Sequence, residues 1–244
     1  YTYWHTLSLH DALPIYNSEH IKSATVAGNS TTGGWAGNRM RPDLVLKFFP
    51  NNDAPNVAAY AMPAAADDDR ALFDGEGRNV SNGDDEKGVK VFTNGFSVCK
   101  FNNFKTDGSA GHNSLFPDAD FFLMRAAEAY LMYAEADARQ NNGTTTAQGT
   151  AYINALRTRA NATTQTAYSL RQICDEWSRE FYFEGLRRTT LIRFGYFGGN
   201  VNYNWSWKGG VKNGRNFDSH LNLFPIPTSD LVANEANLIQ NPGY

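Results

Sequence analysis

Three glutamates recur every fourth residue in the second half of the chain, at Glu176, Glu180 and Glu184. Two carboxyl groups that flank a sugar–sugar bond are what glycoside hydrolysis requires. Arg179 lies three residues after Glu176, and Arg187 lies three residues after Glu184. Opposite charges three or four residues apart meet on the surface of a helix. Such pairing lowers a carboxyl pKa, whereas a general acid needs a raised one. We therefore expect these five side chains to form structural ion pairs, and we assign no catalytic residue.

A second set of charges lies in an apolar segment. Arg125, Glu128, Glu135 and Arg139 are separated by steps of three, seven and four, which places them on one stripe of a helix. The surrounding residues, from Phe121 to Ala134, are almost all apolar, which is typical of a helix buried on several sides. Charges in such a helix need partners, and these neighbours can pair with one another.

Acidic residues are also concentrated in the first half of the chain. Their carboxylates could hold calcium, although no EF-hand spacing is present and a solvated acidic loop is the simpler interpretation. No zinc or phosphate-loop motif occurs, so we expect neither a metal nor a cofactor. The acidic residues are Asp67, Asp68, Asp69, Asp74, Glu76, Asp84, Asp85 and Glu86.

Aromatic residues in polar, loop-like segments are the best candidates for ligand binding. Sugar rings present flat C–H faces that stack on aromatic rings, while Asn and Arg side chains bind hydroxyls. Tyr203, Trp205 and Trp207 would share one face if the segment were extended, as either a platform or a lid on the core. Loop context and residue type single out five candidates, each of which could instead fill the edge of the core: Trp35, Asn38, Arg39, Tyr60 and Trp205.

The elements that position these residues follow from hydrophobic periodicity. Three helical segments are predicted between Asp120 and Phe194: the first over 120–140, the second over 147–160, and the third from Ser169, where Gln172 completes a capping box. Before them the chain is rich in loops. It contains a short predicted helix at 42–49 and short predicted strands at 21–26, 89–92 and 96–104.

Composition excludes several function classes. The formal net charge is −3 with no basic block, so we expect no nucleic-acid partner. No apolar stretch is long enough to span a bilayer. The two cysteines, Cys99 and Cys174, fit neither a metal spacing nor a disulfide framework.

Several ordered motifs together resemble the SusD/RagB family. They are R-AAEAYLMYAEA at 125–136, IN-x-x-R-x-RA at 153–160, E-x-x-RE-F-x-x-EG-x-R at 176–187, LIRFG at 191–195, FPIP at 224–227 and QNPGY at 240–244. The resemblance implies a mainly α fold of tetratricopeptide-like helical pairs, with a loop-rich irregular portion and a few short strands. It covers the C-terminal portion of a family member, so we expect the chain to be truncated.

The same resemblance implies a division of the chain. We expect residues 16–244 to be the C-terminal portion of a SusD/RagB-type domain, with a loop-rich part at 16–119, a helical core at 120–194, and a loop and C-terminal cap at 195–244. Residues 1–15, YTYWHTLSLHDALPI, match nothing that follows and are expected to be a non-native segment.

The resemblance also implies a function. Family members are non-catalytic proteins that bind glycans or other nutrients at the surface of the outer membrane and deliver them to a SusC-like TonB-dependent transporter. A lipid anchor would lie on the missing N-terminal part and would be the only contact with the membrane. Two alternatives stay open from the residues: an extracytoplasmic glycoside hydrolase or accessory hydrolase, and a helical scaffold that binds protein.

Overall fold

The computed structural model describes residues 39–79, 93–101, 107, 109, 112, 122–199, 201–234 and 237–244. Seven α-helices and three short strands occur in these residues, so the predicted mainly α fold class is confirmed. The strands predicted at 21–26 and 89–92 lie outside the described residues. The chain divides into two compact units, one that ends at Glu184 and one that begins at Gly185.

The elements follow one another with short connections. The helices are α1 (Pro42–Phe48), α2 (Met62–Ala66), α3 (Ala126–Gln140), α4 (Ala147–Arg159), α5 (Leu170–Phe181), α6 (Arg187–Arg193) and α7 (Thr228–Ala233). The strands are β1 (Arg39–Met40), β2 (Phe73–Asp74) and β3 (Phe96–Val98), and two short 3-10 helices lie at Lys208–Gly210 and Ser219–Asn222. None of the helices in the described part of the chain is long and apolar enough to cross a membrane.

A small antiparallel sheet forms one core of the first unit. Its strand order is β1-β3-β2, with Met40 opposite Phe96 and Phe73 opposite Val98. Phe73 stacks on Phe96 with ring centroids 5.8 Å apart, and Phe48 of α1 meets the edge of Phe73 at 5.4 Å. These rings are buried, which stabilises three short strands that would not be stable by themselves.

The three long helices form the other core of this unit. Asp137 of α3 contacts Thr146 at the start of α4, while Tyr133, one turn earlier, meets Tyr152 further along α4. The two helices are therefore antiparallel neighbours. Helix α5 packs on α3 as well, and the three helices carry buried apolar side chains: Leu131, Ile153, Leu156, Ile173 and Trp177.

The predicted helix starts are mostly confirmed. Pro42 occupies the first turn of α1, and α4 begins at Ala147 as expected. The capping box of α5 is present: the Ser169 hydroxyl accepts from the Gln172 amide, and the Gln172 side chain accepts from the Ser169 amide. Each interaction satisfies a backbone donor that the first turn would otherwise leave without a partner.

Two predicted helix bounds are wrong. Helix α3 begins at Ala126, because Arg125 has an extended backbone (φ −146°, ψ 155°) and serves as its N-cap. The third predicted segment is interrupted after Phe181, where Phe183 has a φ of 61° and Gly185 a φ of 79°. A left-handed residue cannot continue a right-handed helix, so the spacing rule that would pair Glu184 with later arginines does not apply.

Helix α3 is also less enclosed than its sequence predicts. Ala127, Leu131 and Ala134 are buried, but Met132 is 49% exposed and Tyr133 is 46% exposed. The prediction of a helix buried on several sides is therefore wrong for its outward side, which carries apolar residues in contact with solvent.

Candidate functional site

Glu176 lies at the centre of a buried charge cluster on α5. Its carboxylate accepts from Arg70 at 2.8 Å, from Arg157 at 2.7 Å and from Arg179, whose Nη2 lies 2.9 Å away. Only Arg179 is on the same helix; Arg157 belongs to α4, and Arg70 precedes β2. The cluster therefore ties α5 to two other segments of the first unit.

Glu180 is surrounded in a similar way one turn further on. Arg125 lies 2.6 Å from its carboxylate, Arg159 of α4 lies 2.8 Å away, and Arg70 lies 3.2 Å away. Glu180 is 3% exposed, so these guanidinium groups replace water around the carboxylate. Arg70 thus bridges both glutamates with one nitrogen.

Glu184 completes the cluster from the turn that follows α5. Arg125 donates to it through Nε at 2.7 Å, and the Lys100 ammonium also pairs with it. Arg125 therefore pairs with Glu180 and Glu184, and the expected pairing of Arg125 along its own helix is wrong. Glu135 pairs with Arg139, four residues further along the stripe, at 2.9 Å, and Glu128 lies in the first turn of α3.

The predicted position of Arg187 also needs correction. Its guanidinium donates to the Tyr203 hydroxyl at 2.6 Å and lies 5.9 Å from the centre of that ring. Because the chain turns between Phe181 and α6, Arg187 is not on the helix face that carries the glutamates.

The electrostatics of the cluster are unsuited to acid catalysis. Burial by itself raises the pKa of Glu176, but the charges of Arg70, Arg179 and Arg157 outweigh burial and lower that pKa to about 2. Burial is likewise outweighed at Glu180, whose pKa is held well below its usual range. Both carboxyl groups are therefore ionised at neutral pH and carry no proton to donate.

The sequence does not predict a role for Arg70, because the aspartates next to it are typical of a solvated acidic loop or a calcium site. The structure places Asp68 inside the protein, where its two oxygens accept from the Arg70 Nε at 2.8 Å and Nη2 at 2.7 Å. The interpretation of this stretch as a solvated loop is therefore wrong for Asp68. Asp67 and Asp69 accept from Thr163 and Asn161.

Metal ligands do not cluster in the described residues, where no group of three His, Cys, Asp or Glu side chains could hold an ion. Asp84, Asp85 and Glu86 lie outside this part of the chain, as do Trp35 and Asn38 among the ligand-binding candidates.

Tyr60 is the most accessible of the three predicted ligand-binding residues that the structure describes. It is 90% exposed and occupies the third position of a turn closed by the Ala61 amide and the Ala58 carbonyl, 3.0 Å apart. The loop before it is anchored by Asn56, whose side chain accepts from the Gly77 amide at 2.8 Å and donates to the Arg78 carbonyl. The structure therefore presents a flat aromatic ring to solvent from an anchored loop.

Arg39, the other described candidate in the first unit, is on β1. Its guanidinium donates to the Asn94 carbonyl at 2.8 Å, next to the sheet. Burial lowers its pKa, with a smaller contribution from Arg78, but an arginine stays charged at neutral pH.

Trp205 belongs to the second unit and is half-buried. Its ring packs against Phe197 at 6.2 Å and Phe217 at 6.0 Å, and the buried Lys208 ammonium lies 4.7 Å from its centre. Trp205 therefore fills the edge of an aromatic cluster and leaves part of its surface to solvent.

The alternating aromatics of this segment do not form one platform. Tyr203 is buried and stacks on Tyr196, with ring centroids 4.7 Å apart and planes 11° apart. Trp207 has a φ of 64°, so the chain turns there instead of remaining extended. The single face expected for Tyr203, Trp205 and Trp207 is therefore wrong.

Comparison with known proteins adds the family context. The model of the SusD family matches residues 14–244. The starch-binding protein SusD of Bacteroides thetaiotaomicron is 39% identical over 245 aligned residues, which cover 88% of this chain and 43% of that protein. The chain thus spans less than half the length of this curated relative.

Solved structures give similar coverage. A SusD superfamily protein from Parabacteroides distasonis is 23% identical, with a TM-score of 0.48 over 72% of this chain and 39% of that protein. A surface glycan-binding protein A from Bacteroides thetaiotaomicron, in complex with laminarihexaose, is 23% identical, with a TM-score of 0.45 over 60% of this chain and 30% of that one. By the extent of the family match, this chain belongs to the SusD family.

Proposed function

We propose that this protein binds glycans without cleaving them, at the cell surface. The observation that carries the proposal is that this chain, over 88% of its own length, is similar to a starch-binding protein. The structure supports it in two ways. Tyr60 exposes a ring suited to stacking on sugars, and the glutamates that could have served a hydrolase are held ionised by arginines.

The wider role follows from the family. We propose that the full-length protein is held at the outer membrane by a lipid anchor and passes oligosaccharides or other nutrients to a SusC-like TonB-dependent transporter. Trp35, Asn38, Arg39, Tyr60 and Trp205 remain the proposed ligand contacts.

The experiment starts from maltoheptaose, a soluble fragment of starch, followed by a panel of other neutral oligosaccharides. Binding is measured by calorimetry, and the sugar is recovered and sized after incubation. We expect binding with the oligosaccharide intact. Shortened products would favour the hydrolase alternative, and no binding to any sugar in the panel would favour the protein scaffold.

Two variants at one position test the role of Tyr60. Tyr60→Ala removes the ring and should weaken binding roughly ten- to a hundredfold, the range expected for losing a buried stacking contact. Tyr60→Phe keeps the ring and should retain affinity. Because Tyr60 is 90% exposed, neither change should alter the melting temperature by more than about two degrees. Equal affinities of wild type and Tyr60→Ala would remove Tyr60 from the site.

A further inference from the structure

Arg188, on α6 in the second unit, has a guanidinium that is fixed in place without an acidic partner. Its Nη2 donates to the Leu221 carbonyl at 2.7 Å and to the Leu223 carbonyl at 3.4 Å. The same group lies 3.8 Å from the centre of the Phe224 ring and 4.9 Å from that of Phe197. Two carbonyls and two rings therefore hold the guanidinium in one orientation.

The remaining donors of Arg188 have no partner in the described part of the chain. Nε and Nη1 make no hydrogen bond there, and no carboxylate pairs with the charge. Arg125 is the contrast, because its nitrogens make four hydrogen bonds to Glu180 and Glu184. Arg188 is half-buried, so its unused N–H groups are left to water or to a ligand oxygen.

Phe224 provides an apolar surface beside this charge. Its side chain is 68% exposed although the Arg188 guanidinium lies against the ring. An exposed ring next to a fixed cation offers two kinds of contact at once: apolar contact for C–H groups at the ring edge and charge-assisted hydrogen bonds for an anion. A guanidinium that is already ordered loses little further entropy when it binds.

We propose that Arg188 and Phe224 bind the uronic acid residue of an anionic glycan. The sugar's carboxylate accepts hydrogen bonds from the free donors of Arg188, and its C–H groups contact the edge of the Phe224 ring, because the guanidinium covers one face of that ring. This site belongs to the second unit and takes a charged sugar. It therefore goes beyond the proposed binding of neutral oligosaccharides at Tyr60, and either site can fail without the other.

The test uses trigalacturonate as the acidic probe and maltotriose as a neutral trimer. Calorimetry at low salt should show binding of trigalacturonate that weakens roughly tenfold or more in Arg188→Met, because a charge-assisted hydrogen bond is lost. Phe224→Ala should weaken it as well. Maltoheptaose affinity should be the same in both variants as in wild type, and Tyr60→Ala should leave trigalacturonate affinity unchanged.

Arg171→Met is the matched control, because it removes an arginine side chain that is 55% exposed on α5, in the first unit, and whose Nε lies 3.8 Å from Asp175. It should leave trigalacturonate binding intact. A wild type that does not bind trigalacturonate would overturn the proposal. So would equal affinities in wild type, Arg188→Met and Phe224→Ala, or equal losses for maltotriose and trigalacturonate.

Arg188→Met leaves the Leu221 and Leu223 carbonyls without their donor and could therefore misfold. Phe224→Ala tests the same site without removing those hydrogen bonds. Phe224 is mostly exposed, so its truncation should leave the fold intact, and circular dichroism checks this in both variants. Salt provides a readout that needs no variant. Raising sodium chloride to about 0.5 M should weaken trigalacturonate binding several-fold by screening the ion pair, and binding insensitive to salt would contradict the proposal.

Discussion

At the residue scale, the two buried carboxylates of α5, Glu176 and Glu180, are each held by three arginines. Glu180 has one partner before α3, one on α4 and one before β2, so each oxygen is enclosed by positive charge. A buried ion pair adds little net stability over an apolar replacement, but removing one partner strands the others without water. The contribution of such a carboxylate to stability is therefore measured best by replacing it.

Glu180→Gln keeps the shape of the side chain and removes its charge. We expect it to lower the free energy of unfolding by about 3 to 5 kcal/mol, because Arg70, Arg125 and Arg159 each lose a buried carboxylate partner. Urea denaturation measures this value. Glu76→Gln, at an exposed turn, is the control and should change it by less than about 0.5 kcal/mol. A Glu180→Gln protein as stable as wild type would contradict the prediction.

The lowered pKa of Glu176 also predicts a pH dependence. Its pKa in the folded chain is about 2, below the value of about 4.3 for an unfolded glutamate, so the unfolded state binds a proton first. The resulting stability is present above pH 5 and is lost as the pH falls towards 2. Urea denaturation between pH 7 and pH 3 should show this loss, and Glu176→Gln should reduce its slope. An unchanged slope would mean that other groups dominate.

At the scale of elements, the α3–α4 connection depends on one close approach. Gly149 lies where an added Cβ would be 2.2 Å from Asp137 Oδ2, and Asp137 accepts from the Thr146 amide at 2.7 Å and its hydroxyl at 2.8 Å. The aspartate thereby supports the start of α4 from the neighbouring helix. Only a residue without a side chain leaves room for it.

Gly149→Ala should therefore destabilise the protein, although alanine is intrinsically favoured over glycine in a helix by about 1 kcal/mol. The melting temperature should fall, because the new methyl group displaces Asp137 from Thr146. In an Asp137→Ala background the same change should cost much less, since the clashing carboxylate is gone. Equal costs in the two backgrounds would disprove the coupling.

Most of the helices and their caps could be predicted from the sequence. The contacts that could not be predicted join residues that are far apart in the chain. Periodicity and capping chemistry are local, so α4 and the Ser169 capping box were predicted correctly. The partners of Arg125 and the role of Arg70 were missed because they depend on segments far apart in the chain. Loop context correctly predicts an exposed Tyr60, whereas Trp205 is half-buried against Phe197 and Phe217, which periodicity does not bring together.

At the scale of the whole molecule, the chain carries apolar surface that its own described residues leave exposed. Met132 and Tyr133 of α3 are about half exposed, and Met124, just before the helix, is 66% exposed. Patches larger than a few hundred Å² are unusual on monomeric proteins. Because these apolar side chains contact solvent, we expect the chain by itself to be only marginally stable.

We expect the isolated chain to bind a hydrophobic dye and to melt over a broad range. The double substitution Met132→Lys and Tyr133→Ser should reduce dye fluorescence, because it places polar groups on the exposed side of α3. Leu231→Ala, at a half-buried position of α7, serves as the comparison and should not reduce it. A sharp, two-state melt of a monomer that binds little dye would contradict this expectation.

The buried charge cluster has a consequence for the order of folding. Arg70 and Glu176 are 106 positions apart, and Arg125 and Glu180 are 55 apart, so their attraction is available only after distant segments have met. Until then each charge retains its water, which opposes the enclosure of α5 in a half-assembled core. The cluster should therefore form late, and changes within it should accelerate unfolding far more than they slow folding.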